Sequence, residues 1–176
     1  FALFFRPVGF EYRSKLPDPT WRKAWDWGLF AGSAVPALVF GVAFGNLFLG
    51  VPFRLDDTMR SFYSGSFWAL LNPFALLFGV VSLSLLTLQG ATFLSHRTEG
   101  GLQARAKKAA QILAIVLLVA FSLGGLWVSR IDGYVIQSIG DVGASMNPLM
   151  KEVGLPPAPW SANYPNTPIL WLVPAL

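Results

Sequence analysis

Three long stretches of this chain carry no charged residue: 27–53, 61–96 and 109–129. The middle one contains Pro73 to Ser95, reading PFALLFGVVSLSLLTLQGATFLS. At a rise of about 1.5 Å per residue, a helix over it crosses a hydrocarbon core of about 30 Å. Asn72 suits the N-cap and Pro73 the first helical position, where proline gives up an amide that has no intrahelical partner. The same length argument places flanking spans at 27–49 and 109–129. Phe1 to Phe5 reads as the end of a helix that stops at Arg6-Pro7, because proline disfavours helix in the residue before it. Residues 168–176 read as the start of a further span. Neither end is long enough to cross a bilayer, and the chain is expected to be an interior piece of a longer protein.

Within the first span, Gly28, Gly32 and Pro36 recur at spacing four, and Ala37, Gly41 and Gly45 repeat that spacing. Small residues so arranged let two helix backbones approach closely. Ala120 and Gly124 offer a similar step in the third span. Trp21, Trp25 and Trp27 stand where a span begins, as amphipathic rings do at headgroup level, and Phe62, Tyr63, Phe67 and Trp68 form a second interfacial set.

Composition agrees with this pattern. Of the 176 residues 12% are charged and 54% hydrophobic, against about 25% charged in a soluble domain. The expected fold class is all-α: a polytopic membrane helical bundle with three full transmembrane helices and partial helices at both ends. The net charge of +4 is no sign of nucleic acid, because the cationic excess lies in loops between apolar spans. Basic residues number five in 6–26, two in 50–72, four in 96–108 and two in 130–167. By the positive-inside bias the first and third loops are cytoplasmic and the second and fourth periplasmic. That alternation fits three spans and fails for two or four. All of 1–176 is read as part of one membrane domain.

Chemistry is sparse. With no cysteine, the chain can build no disulfide, thiolate metal site or iron–sulfur cluster. With one histidine, His96, it cannot build a paired-histidine haem or metal site alone. No GxSxG, Walker loop, HExxH or CxxC occurs. Four polar groups border apolar surface. Arg6 is either a cation snorkelling at the cytoplasmic face or a buried one that orients a cofactor propionate or partner carboxylate. Asp26 is a helix-dipole or capping acid, or a proton-entry group. Gln89, with Thr87 and Thr92 nearby, makes interhelical hydrogen bonds, or contacts a quinone or water. His96 is a solvated residue at the membrane edge, or a haem ligand.

Several strings resemble, in order, subunit II of the bacterial cytochrome bd-type quinol oxidases. They are FFRPVGFEYRSK (Phe4 to Lys15), WRKAWDWG (Trp21 to Gly28), GVAFGNLFLGVPF (Gly41 to Phe53), LNPFALLFGVVS (Leu70 to Ser82), QGATFL (Gln89 to Leu94), IDGYV (Ile131 to Val135), NPLMKEV (Asn147 to Val153) and NTPILW (Asn166 to Trp171). The resemblance covers nearly the whole chain; LPPAPW (Leu155 to Trp160) and His96 fall outside it. It implies a haem-free subunit that stabilises a homologous, haem-bearing subunit I and helps shape proton access. The two b-type haems and haem d belong to that partner, with quinol as substrate of the complex and a structural quinone in some members. It also implies a multi-pass location in the bacterial inner membrane, and for Arg6 an influence on the haem environment or proton path. The family's proton-uptake acids in this subunit are expected upstream of residue 1.

Two other readings use the same residues. Small-residue seams and a proline within a span also suit a multi-span transporter or permease, although no charge lies inside any span. A purely structural helical anchor would need none of the four polar groups for activity.

Overall fold

The computed structural model describes residues 1–133, 135–139, 151–154, 164 and 167–171. The chain divides into two compact units, Phe1–Gly124 and Gly125–Leu176. Four α-helices dominate the described residues: α1 (Phe5–Tyr12), α2 (Pro19–Leu49), α3 (Pro73–Arg97) and α4 (Gly100–Val128). α2, α3 and α4 have 31, 25 and 29 residues, each long and apolar enough to cross a membrane.

The helix expected to end at Phe5 does not. A 3-10 turn over Ala2–Phe4 leads into α1, which runs through Arg6-Pro7 to Tyr12. Pro7 is the third residue of α1, inside the first turn, where backbone amides lack an intrahelical acceptor in any case. Most of the expected loop 6–26 is therefore helical, for α2 already begins at Pro19. Asp18 caps it, accepting a hydrogen bond from the Thr20 amide at 3.0 Å, with Pro19 in the first turn. The expected loop 96–108 shrinks similarly to Thr98 and Glu99, and Arg105, Lys107 and Lys108 are helical residues of α4. Gly100, at φ 68, supplies the left-handed backbone that the reversal needs. The alanines, lysines, arginine and glutamine beyond it are good helix formers. Charge had marked the edge of the apolar spans, and the helices continue past that edge.

At the start of α3 expectation and structure agree. The Asn72 side chain accepts from the Ala75 amide at 2.7 Å and Pro73 opens the helix. α2 ends at Gly50, whose φ of 77 breaks the helix without a Cβ penalty.

The helices are inverted relative to those of a water-soluble protein. Their buried positions are small or polar: Gly32, Ala37, Gly41, Gly45 and Asn46 on α2, Ala75, Gly79, Ser84 and Ala91 on α3, Ala106, Ala120 and Gly124 on α4, with Val42 and Phe74 the larger exceptions. The large side chains face outward, with Leu118 68%, Ile115 66% and Phe44 62% exposed. In water such a surface would be an aggregation liability; against lipid it is the expected arrangement.

The seam Ala37–Gly41–Gly45 is where α2 meets α3. A Cβ built on Gly45 would lie 2.6 Å from Ala75 Cα, and one on Gly41 would overlap the Phe78 carbonyl and lie 2.6 Å from Gly79 Cα. The two backbones are in contact. The upstream seam serves the N-terminal segment instead: a Cβ on Gly32 would stand 2.7 Å from the Ala2 carbonyl oxygen of the 3-10 turn and 3.2 Å from Phe5 Cβ of α1. Gly124 on α4 lies beside the Phe78 ring, 3.4 Å from where its Cβ would be.

Between α2 and α3 the expected loop 50–72 holds a small antiparallel hairpin, β1 (Phe53–Leu55) against β2 (Ser61–Tyr63), with Arg54 opposite Phe62. Its turn is organised by Asp56, whose Oδ1 accepts from the Arg60 amide at 2.8 Å, the Thr58 hydroxyl at 2.7 Å and the Thr58 amide at 2.9 Å. The Arg60 amide most, then the Thr58 hydroxyl, and least the Thr58 amide hold the Asp56 carboxyl below its ordinary pKa. The stabilisation is present above the unfolded carboxylate pKa of about 3.9 and is lost as pH falls through the lower folded value. Asp56→Ala is expected to reduce amide-exchange protection at Arg60 at neutral pH. Wild-type protein should show the same loss only in acid. Equal protection in the two proteins at pH 7 would remove Asp56 from this role.

In the second unit, β3 (Val135–Ile139) pairs antiparallel with β4 (Lys151–Gly154), with a register shift between Ile136 and Ser138. This hairpin lies within 130–167, the stretch expected as a periplasmic loop. Of the further span expected over 168–176, Pro168–Trp171 form a 3-10 turn; 172–176 and the LPPAPW segment lie outside the described residues.

Candidate functional site

A cluster of polar and aromatic side chains sits at the elbow between α1 and α2. α1 folds back on α2 because Gly9 and Gly32 leave room: a Cβ on Gly9 would come within 2.8 Å of Leu29 Cδ2. The chain turning between the helices is closed by aromatic rings. Tyr12 stacks on Trp25 with centroids 6.0 Å apart, and Trp21 meets Trp25 edge-on at 5.8 Å. The Trp21 Nε1–H donates to the Tyr12 carbonyl oxygen at 2.8 Å. Trp21 and Trp25, expected as anchors at headgroup depth, here also staple the elbow.

An ion pair crosses the elbow. Arg13 Nε donates to Asp26 Oδ1 at 2.5 Å, and its Nη2 to Oδ2 at 3.3 Å. Asp26 thus does not cap the helix; Asp18 does, and Asp26 lies two turns further in, joined to Arg13. Both side chains are about half exposed, at 47% and 50%, so the pair positions more than it stabilises. Asp26, Trp27 and Phe30 border an open recess of about 260 Å³.

Arg6 lies at the other end of α1 from the elbow. It is exposed, and its Cγ packs over Gly32 of α2. Gln89 belongs elsewhere, exposed on α3 near its C-terminal end, where its carbonyl oxygen accepts from the Thr92 hydroxyl at 2.9 Å. Thr87 and Thr92 also donate to backbone carbonyls of their own helix, those of Leu83 and Leu88. Among the described residues no hydrogen bond or ion pair joins Arg6, Asp26 and Gln89 to one another; Asp26 pairs with Arg13. His96 is exposed in the last turn of α3 beside Arg97. Among the described residues no three His, Cys, Asp or Glu side chains gather to hold a metal. A lone exposed imidazole next to a guanidinium does not fit axial haem ligation.

A second polar cluster escaped the sequence reading. Asn46, buried to 7% exposure on α2, donates from Nδ2 to the Val42 carbonyl at 2.8 Å and to the Leu70 carbonyl at 2.7 Å. Its Oδ1 accepts from Asn72 Nδ2 at 3.0 Å, while Asn72 Oδ1 caps α3. The two amides tie the end of α2, the 3-10 turn Phe67–Leu71 and the start of α3 into one knot. The available signal was a lone amide in an otherwise apolar run, GVAFGNLFLG.

Comparison with known proteins agrees with this architecture. The chain is 56% identical over 176 residues to Cytochrome bd-I ubiquinol oxidase subunit 2 of Escherichia coli (strain K12), covering 99% of this chain and 46% of that protein. It is 54% identical over 175 residues to the Probable cytochrome oxidase subunit 2 of Haemophilus influenzae, with the same two coverages. To Cytochrome bd ubiquinol oxidase subunit 2 of Bacillus subtilis (strain 168) it is 36% identical over 132 residues, 74% of this chain and 38% of that protein. The chain thus spans just under half the length of the first two of these relatives. The family model described as Cytochrome bd terminal oxidase subunit II matches residues 1–175. With three helices able to span a bilayer and relatives of this kind, it is a multi-pass protein of the bacterial inner membrane, and it belongs to the cytochrome bd terminal oxidase subunit II family.

Proposed function

We propose that this chain is part of the membrane-embedded second subunit of a bacterial quinol:oxygen oxidoreductase. It packs against and stabilises a haem-bearing subunit I, and it shapes proton access to that partner's site. The observation that carries the proposal is the inverted bundle: small residues bring α2 and α3 into backbone contact, while bulky apolar side chains cover the outside. Such a body suits a rigid support against another membrane protein. The relatives' names, which include ubiquinol oxidase, supply quinol as the substrate class of the complex. Two b-type haems and haem d are assigned to subunit I, and a structural quinone to the assembled pair. The cationic elbow and the α3–α4 turn face the cytoplasm, and the β1–β2 hairpin and the segment after α4 face the periplasm. The small-residue seams that also suit a transporter here bring α2 against the N-terminal segment and α3.

Arg6, Asp26 and Gln89 remain the groups proposed for the haem environment or proton path. Asp26 sits at the elbow, Arg6 at the far end of α1 against Gly32, and Gln89 apart on α3. The full-length subunit co-purified with its partner should show the red absorbance of haem d, and the separated subunit none. In that complex Arg6→Ala is expected to lower quinol-dependent oxygen consumption at unchanged haem content. Full activity in Arg6→Ala would leave a purely structural anchor. Haem retained stoichiometrically by this polypeptide alone would overturn the proposal.

A further inference from the structure

Below the α3–α4 turn the two helices leave an open groove of about 470 Å³, lined by Val81 and Leu85 of α3 and Ala114, Leu117, Leu118 and Phe121 of α4. Every lining side chain is apolar. Lys107, Ala114 and Phe121 follow one another at seven-residue intervals, with Leu118 between the last two. On a helix that spacing forms a single stripe, so Lys107 stands over the groove's mouth about 10 Å along the axis from Ala114.

Lys107 has cationic company. Arg105, Lys108 and Arg97 are exposed around the same turn, and among the described residues none of the four has an ion-pair partner. Apolar groups are interleaved with them: Leu102 is 46% exposed, and Phe93 is 61% exposed with the Arg97 guanidinium 5.8 Å from its ring centroid. The first apolar stretch of α4 begins at Ala109, directly after Lys108. Four cations against one acid, Glu99, therefore gather where the apolar stretches of α3 and α4 begin, above a slot whose lining is wholly apolar.

We infer that the α3–α4 groove is a binding site for one anionic phospholipid, with an acyl chain lying along Ala114, Leu118 and Phe121 and the phosphate held by Lys107 and its neighbouring cations. Charge complementarity selects the headgroup, and the apolar lining takes the chain. The inference rests on the membrane placement of α3 and α4 and not on the oxidase reading, so the two fail separately.

The test uses the full-length subunit in complex with its partner. The complex is stripped of lipid in detergent and offered either phosphatidylglycerol or phosphatidylcholine, and retained lipid is counted by native mass spectrometry. Wild type should keep phosphatidylglycerol in preference to phosphatidylcholine. The double variant Lys107→Gln, Lys108→Gln should lose that preference, with phosphatidylglycerol retention down roughly tenfold or more, since each basic residue near the surface contributes on the order of 1 kcal/mol. Lys23→Gln, which removes a cation at the elbow, should change nothing. Ala114→Phe should release the lipid with every cation intact. Equal retention of the two lipids by wild type, an unaffected double variant, an unaffected Ala114→Phe, or recovery of a quinone in place of phospholipid would each overturn the site.

Discussion

Gly41→Ala should separate α2 from α3. The added methyl has no flexible neighbour to push aside, because it would overlap the Phe78 carbonyl and crowd Gly79 Cα, both backbone. Overpacking a well-filled interface usually costs about 1–3 kcal/mol, and a backbone obstacle puts this case at or above the upper end. By the usual scaling that is a fall in melting midpoint of roughly 6–12 °C for a protein of this size. The contrast is Gly90→Ala, where a Cβ would meet nothing within 4 Å. There alanine should be neutral or slightly favourable, having a helix propensity better than glycine's by up to about 1 kcal/mol. Both variants are compared by thermal unfolding of the detergent-solubilised complex. If Gly41→Ala melts within about 2 °C of wild type, the helices are not packed backbone to backbone.

Asn46→Leu should come next in size. The side chain keeps about the same bulk but can no longer serve the Leu70 carbonyl and the Asn72 amide, both part-buried. A fully buried polar group left without a partner costs about 1–3 kcal/mol; here both are part-buried and Asn72 keeps a long contact to the Ala69 carbonyl, so the two together are expected near the low end, at about 2–3 kcal/mol. Asn72→Ser separates the two halves of the knot. Serine can still cap α3 but supplies no amide to Asn46, and the variant should lie between wild type and Asn46→Leu. Amide exchange over Phe67–Leu71 gives the local readout. Unchanged protection there in Asn46→Leu would mean that the amide does not hold the turn.

The sequence alone made the spans legible because lack of charge over such lengths has few physical explanations other than lipid. The start of α3 was legible too, since Asn72-Pro73 is a local signal whose effect extends only one turn. Helix ends elsewhere were not. Nothing local at Arg6-Pro7 shows that α1 continues to pack on Gly32, and a cationic run such as Arg105 to Lys108 marks a membrane surface whether or not it is helical. The candidate site was legible only in part. Asp26 was visible as an acid between tryptophans, but its partner Arg13 lies thirteen residues away and is brought near only when α1 folds back. Asn46 carried no motif; its value comes from Leu70 and Asn72, placed by the tertiary fold.

Pro36 lies within α2, between the turn at Gly32 that receives α1 and the seam from Ala37 to Gly45 that grips α3. A proline has no amide to offer the carbonyl four residues back, so the helical ladder lacks one rung there, opposite Gly32. The ladder's weakest point thus falls in the gap between two gripped lengths. The one missing rung therefore costs neither grip, since the contacts at Gly32 and those from Ala37 to Gly45 lie on either side of it.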